Sequence, residues 1–334
     1  MTPDRPSDAQ DRRTFLKTLA ASGAAFAAFA ALGCATGGAS TGASQAASGA
    51  RSASGIPAGL GDRIGVQLYS VRDRMEKDFT GTLEGVAKIG FKEVEFAGYY
   101  NHSAQDVRAL LDRLGLRSPS SHIGLDQLQK DLAAQVQTAR TIGHDYITVP
   151  ALIPPLIGKV APDYWPKTAA EFNRIARTLK DEGIGFAYHN HSFEFEKLPD
   201  GRTGYDVLLA ETDPALVKFE LDLLWAALAG QDPVAMFQRS PGRFVMWHVK
   251  DVKGVDEARR VIASGEGSTI QRLQAVAPRL AAVGTGDIDF RRIFAAAQTS
   301  GMQHFFIEND SAPQTASSLA DIETSYRNLR QLLA

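Results

Sequence analysis

The sequence predicts an α/β protein folded as a closed (β/α)8 TIM barrel, on three observations. From Asp62 onward, short β-branched and aromatic runs alternate with stretches of helical period, the pattern of βα units around a parallel sheet. Eight such runs fit into about 270 residues, the usual size of a (β/α)8 barrel. Several helical stretches end on a glycine just ahead of the next strand, at Gly90, Gly115, Gly143, Gly183 and Gly301, as helix C-termini do. A doubly wound open sheet would have fewer strands and a glycine-rich loop after the first. The turn here, Ser70-Val71-Arg72-Asp73-Arg74, has no glycine to cradle a phosphate.

The predicted strands are 64–69, 93–96, 117–122, 146–149, 185–190, 217–222, 244–249 and 304–308. Amphipathic stretches lie between them at 80–89, 104–114, 125–142, 166–182, 205–211, 233–239 and 290–299. The stretch 252–283 is long for a βα connection and keeps helical period over 269–282, so it reads as a helical insertion on the functional face. Gly284-Thr285-Gly286 has no strand immediately ahead of it and reads as a turn, not a nucleotide loop.

At 334 residues and 44% hydrophobic, the chain can bury one large core. Its 36 Lys and Arg nearly balance 38 Asp and Glu, for a net charge of −2, which argues against a nucleic-acid partner. The single cysteine, Cys34, excludes an internal disulfide framework and a cysteine-rich zinc site.

Residues 1–34 read as an export signal. Arg12 and Arg13 are followed by Thr14-Phe15-Leu16-Lys17, and Thr18 to Leu32 form an uncharged run of 15 residues, too short to span a bilayer. The run resembles the twin-arginine signal, and Ala31-Leu32-Gly33-Cys34 resembles a lipobox in which Cys34 is lipidated after cleavage. Residues 35–61, mostly Ala, Gly, Ser and Thr, read as a flexible tether, and residues 62–334 as the catalytic barrel. The expected location is periplasmic, with membrane contact only through the N-terminal lipid.

Ionisable groups recur where the strands end, the place where a barrel collects its chemistry. These are Glu93 and Glu95, His122, then His189-Asn190-His191 with Glu194 and Glu196 beyond, Glu220 and Asp222, His248, Lys250 and Asp251, and Glu308 and Asp310. The period of two puts Glu220 with Asp222, His248 with Lys250, and His189 with His191 on common faces. Such groups are rarely buried unless paired or metal-bound. Convergence of Asp222, His248, Glu308 and either Glu194 or His189 would give a site for one divalent cation, whether Mn²⁺, Mg²⁺, Co²⁺ or Zn²⁺. His102, His144 and His304 read as structural.

Six segments carry a resemblance: Gly65-Val66-Gln67-Leu68-Tyr69-Ser70-Val71-Arg72, 188–195 around His189-Asn190-His191, Leu221-Asp222, His248-Val249-Lys250-Asp251, 284–290, and Ile307-Glu308. Together, in this order, they resemble the sugar phosphate isomerase/epimerase family. Its xylose-isomerase-like barrels include keto-sugar epimerases, inosose dehydratases and hydroxypyruvate isomerases. The resemblance implies one divalent cation on a Glu after strand five and on Asp222, His248 and Glu308. Family epimerases have Glu-Asn-His where this chain has His189-Asn190-His191. Either His189 takes the ligand position or Glu194 reaches back, the latter favoured because a hard cation prefers a carboxylate.

The chemistry these groups suit is abstraction of a proton next to a carbonyl. Glu308 or His189 would act as base, with His191 or Lys250 as partner; Gln67, Glu95, His122, Asn190, Lys250 and Trp165 are the candidate substrate contacts. Return of the proton gives an epimer or an aldose–ketose shift, and loss of a β-substituent gives elimination. Export points to an unphosphorylated sugar, keto-sugar, inositol or glycoside. The aromatic loop Gly98-Tyr99-Tyr100-Asn101 and the stretch 150–166 are placed to close over a sugar ring. The reading from another class is a noncatalytic carbohydrate-binding lipoprotein; a homo-oligomer is left open.

Overall fold

The computed structural model describes residues 55–334; the Arg12-Arg13 motif, Cys34 and residues 35–54 lie outside the described residues. Eight parallel strands close into a barrel. They are β1 (Gly65–Gln67), β2 (Glu93–Phe96), β3 (Arg117–His122), β4 (Tyr146–Val149), β5 (Gly185–His189), β6 (Val217–Asp222), β7 (Phe244–Val249) and, after a small antiparallel ribbon of β8 (Asp251–Val252) and β9 (Leu280–Ala281), β10 (His304–Ile307). β10 lies between β7 and β1 and closes the ring. No helix among the described residues is long and apolar enough to cross a membrane.

Alternation along each strand sorts the side chains. Val66, Val94, Phe186, Tyr188, Phe219, Leu221, Trp247, Val249, Phe305 and Ile307 are fully buried against the helical layer, each worth roughly 1.5–3 kcal/mol of burial. The opposite faces fill the barrel. Ala187, Met246 and Phe306 form an apolar floor, and Gly65 makes room for it: a Cβ there would lie 2.6 Å from the Phe306 ring. Above the floor the inward positions become polar.

The boundaries differ from expectation where side chains compete for backbone groups. The first strand stops at Gln67, whose side chain accepts from the Tyr69 amide and opens a 3-10 turn over Leu68–Val71. The helix expected over 125–142 is two, Leu125–Lys130 and Leu132–Ile142, because Asp131 caps the second by accepting from the Ala134 amide. Helices at Ile153–Ile157, Leu223–Leu228 and Ser318–Leu333 were not anticipated. The tether is shorter than expected: Ile56 and Leu60 belong to the core, and the turn Leu60–Asp62 packs on the C-terminal helix.

The stretch 252–283 holds helices Val255–Ala263 and Thr269–Val276 on the ribbon β8–β9. The second helix stops before Pro278, which lies in a 3-10 turn. The Gly284-Thr285-Gly286 turn wraps around the Asp251 carboxylate, which accepts amide hydrogens from Gly284, Gly286 and Ile288 at 2.9, 2.9 and 3.2 Å.

Candidate active site

Two tiers of polar side chains stand inside the C-terminal mouth of the barrel. The lower tier brings Glu95 from β2, His122 from β3, His189 from β5, Glu220 from β6 and His248 from β7 together. Glu220 Oε2 lies 2.8 Å from His122 Nε2, 3.2 Å from His248 Nε2 and 3.3 Å from His189 Nδ1. Glu95 Oε2 lies 2.7 Å from His248 Nε2 and 3.2 Å from His122 Nε2, and accepts from Gln67 Nε2 at 2.7 Å.

The upper tier is Asp222, Glu308, Asp310 and Lys250. The Lys250 ammonium sits 3.0 Å from Asp222 Oδ2, 2.8 Å from Glu308 Oε2 and 2.9 Å from Asp310 Oδ2. Two imidazoles join the tiers. His248 turns Nδ1 to Glu308 Oε2 at 2.5 Å, and His189 turns Nε2 towards Asp222 Oδ2 at 3.8 Å. Asp222 is fixed from behind: its carboxylate accepts from the Trp225 amide at 2.8 Å as the cap of Leu223–Leu228, and its own amide donates to Asn190 Oδ1 at 3.1 Å.

Burial dominates the acid–base behaviour of the site. It pushes Glu220 up to about 7 and Asp222 up to about 6, and it raises Glu95, with the neighbouring Glu220 adding to the effect. It lowers His122 to about 4 and His191 to about 3, and holds His189 well below the usual range, with help from His248. Glu308 goes the other way: burial would raise it, but Lys250 and His248 outweigh burial and keep it ionised. Burial likewise opposes the charges of His248 and Lys250, and the surrounding carboxylates overcome it.

The donors fit a divalent cation. Two overlapping sets, His122, His189, Glu220 and His248, and His189, Asp222, His248 and Glu308, each offer atoms within 4.8 Å of one another. Glu95 Oε1, Glu220 Oε1 and His189 Nδ1 are buried without a hydrogen-bond partner, a costly state for polar groups that a cation would relieve. Imidazole and carboxylate together suit Zn²⁺, Co²⁺ or Mn²⁺.

The site opens onto a cavity of about 1330 Å³ whose wall includes His122, His189, His191, Lys250 and Glu308. Tyr69, Tyr164 and Trp225 add aromatic faces, while Ile153–Ile157 and Thr269–Val276 contribute residues to the rim.

Several expected positions are corrected. Glu194 does not reach the cluster: its carboxylate accepts from Tyr188 Oη at 2.5 Å and from the His191 amide at 2.9 Å, and burial among aromatic rings raises it to about 8. His189 stands at the strand end instead. Trp165 is buried with its indole against Gly204, and its neighbour Tyr164 faces the cavity. Gln67 and Glu95 lie beneath the wall, and Asn190 clamps β5 to Asp222. Tyr99 and Tyr100 pack on Phe96 and Phe79; they do not line the cavity. The structural histidines behave as expected, His144 bonding Ser118 O and Tyr99 Oη, and His304 bonding Glu93. Sequence reasoning placed Glu220 on its face and Asp310 beyond strand eight without giving either a role, and missed Tyr69, Arg72 and Trp225. These three follow the ends of their strands, where strand alternation no longer gives a signal.

Known proteins agree with this architecture. An inosose dehydratase of Lacticaseibacillus casei is 28% identical over 147 residues, 43% of this chain and 46% of its own length. The chain thus spans about half the length of the curated relatives it matches. The crystal structure of a sugar phosphate isomerase/epimerase from Parabacteroides distasonis superposes with a TM-score of 0.62 at 24% identity, covering 86% of this chain and 98% of that one. A structure of IolI with a bound zinc atom superposes with a TM-score of 0.60 at 11% identity, covering 81% and 98%. The family model matches residues 83–332, and the chain belongs to the Xylose isomerase-like TIM barrel family.

Proposed function

We propose that this chain is a divalent-metal-dependent enzyme of the isomerase/epimerase type, acting on an unphosphorylated sugar or keto-sugar by removing the proton next to its carbonyl. The observation that carries this reading is the cluster of mixed imidazole and carboxylate donors at the base of a cavity with aromatic walls. One of the two donor sets, both of which include His189 and His248, would hold the cation. A cation there supplies Lewis-acid stabilisation of the negative charge that develops on the carbonyl oxygen.

The chain's own groups divide the remaining work. Lys250, charged and held among carboxylates, lines the cavity and sets its positive charge beside a substrate oxygen. Glu308, kept ionised, is on the wall to take the α-proton, and His191, whose Nδ1 has no partner, is on the same wall as its partner. Tyr69, Tyr164 and Trp225 give the sugar ring apolar faces to rest on. With the Arg12-Arg13 segment acting as export signal and Cys34 as lipid anchor, the enzyme works in the periplasm on sugars that carry no phosphate.

The inosose dehydratase relatives favour a second reading, in which the same enolisation is followed by loss of a β-hydroxyl. One experiment separates them. The mature domain, loaded with Mn²⁺ or Zn²⁺, is incubated with keto-sugars and inososes in D₂O and followed by NMR and mass spectrometry. Deuterium at the α-carbon with the substrate's elements retained marks isomerase or epimerase action; loss of water marks the lyase. Sugar binding without exchange, indifferent to metal, would replace both with a carbohydrate-binding protein.

A further inference from the structure

We infer that the cation belongs in the lower tier, on His122 Nε2, His189 Nδ1, Glu220 and His248 Nε2 with Glu95 beside them, and that the Lys250 ammonium fills the upper position between Asp222 and Glu308. The inference rests on the reading that a divalent cation serves this site, and departs from the ligand set that the resemblance implied.

Spacing is the first argument. Ligands at about 2.0–2.2 Å from one ion stand about 3 Å from each other in an octahedral set and about 3.4 Å in a tetrahedral one. The five lower-tier separations from Glu220 Oε2 and Glu95 Oε2 to imidazole nitrogens run from 2.7 to 3.3 Å. In the upper tier the His189–Asp222 separation is 3.8 Å, and the space between Asp222 and Glu308 already holds Lys250 Nζ at 3.0 and 2.8 Å.

Charge is the second. Glu95 and Glu220 are fully buried, and among the described residues no lysine or arginine forms an ion pair with either. A dication there would balance two carboxylates. In the upper tier it would bind oxygens already in contact with an ammonium, and the lower carboxylates would still lack a countercharge, which burial makes expensive.

Unsatisfied atoms are the third. Of the site's partnerless atoms, Glu95 Oε1, Glu220 Oε1 and His189 Nδ1 belong to the lower tier; Asp222 Oδ2 in the upper tier makes no hydrogen bond either, but it already has the Lys250 ammonium at 3.0 Å. With Nε2 turned to the ion, His248 keeps Nδ1 on Glu308 at 2.5 Å, the carboxylate-behind-imidazole arrangement that orients a ligating histidine. His122 and His189 also line the cavity, so the ion has an open side towards substrate.

The test uses Co²⁺ as the probe, titrated into the metal-free mature protein and read by affinity and by visible absorption, with thermal melts as a folding control. Glu220→Gln and His122→Gln are expected to weaken Co²⁺ binding by about 100-fold or more and to change its spectrum. Asp222→Asn is expected to change affinity by less than about tenfold with the spectrum intact. Two lower-tier variants keep the test informative if one of them does not fold. The reverse pattern, or equal loss in both tiers, overturns the assignment; so does a wild-type chain that takes up no Co²⁺. Solvent exchange with the upper-tier pattern would sink this seat and spare the proposed function. The lower-tier pattern without exchange would do the opposite.

Discussion

Glu194 shows how little a residue's type says about its work. It carries a ligand's functional group, yet burial leaves it a carboxyl near 8, bonded to Tyr188 and to the amide of His191. Its role is to hold the backbone that aims His191. The folded value lies above the ordinary 4.5, so as pH rises the unfolded chain releases this proton first. Stability from this group is therefore complete below about pH 4.5 and is withdrawn as pH approaches 8, at about 1.4 kcal/mol per unit. Glu194→Gln mimics the protonated form and removes this dependence. Urea midpoints of the two proteins should draw together near pH 5, with the variant gaining steadily towards pH 8; parallel curves would contradict this reading. From sequence, the preference of hard cations for carboxylates pointed to Glu194 over His189. What decided otherwise was backbone direction after β5, where the 3-10 turn Phe193–Phe195 carries Glu194 away from the mouth.

At the scale of elements, much of the architecture is legible because it rests on local physics. The glycines at 115, 143 and 301 do cap helices in left-handed conformation, and all eight barrel strands lie where alternating runs placed them, some one to three residues shorter. The break at Asp131 was hidden because apolar period continues through it; only the cap hydrogen bond interrupts the helix. The segment after β7 is the clearest case of one side chain organising a loop. Asp251 gathers amides from 284 to 288, and Gly286 approaches so closely that a Cβ would lie 2.3 Å from Asp251 Oδ1. Asp251→Ala should cost about 2–3 kcal/mol in urea denaturation by stranding these amides. Hydrogen exchange should speed up at Gly284, Gly286 and Ile288 while the barrel strands stay protected. An unchanged midpoint and unchanged exchange would show that the turn stands without its carboxylate.

At the scale of the whole molecule, the site is a property of barrel closure. Residues from β2, β3, β5, β6 and β7 meet only because the ring closes, and that is why sequence could name Asp222, His248 and Glu308 but not assign depth. Alternation puts Glu220 and Asp222 on one face; only the register, with His189 beside Glu220 and His248 beside Asp222, places them at different heights. A cation that bridges so many strands should stabilise the fold. Chelation should lower the melting temperature, and added Mn²⁺ or Zn²⁺ should restore it, by about 2.7 kcal/mol at a hundredfold excess over Kd. Without the ion, burial holds protons on Glu220 to about pH 7 and on Asp222 to about pH 6. The metal-free protein therefore loses stability as pH rises through that window, and the difference made by chelation should be larger at pH 8 than at pH 5. Melts indifferent to chelator at both values would deny the ion a structural part.

The apolar floor of Ala187, Met246 and Phe306 makes the barrel a cup, not a pipe. Whatever enters the site must come through the mouth, past the rim segments Ile153–Ile157 and Thr269–Val276. Under the proposed activity, turnover in such a vessel would be tied to how fast that doorway empties, and a ligand lodged in it would shut out water and the next molecule together.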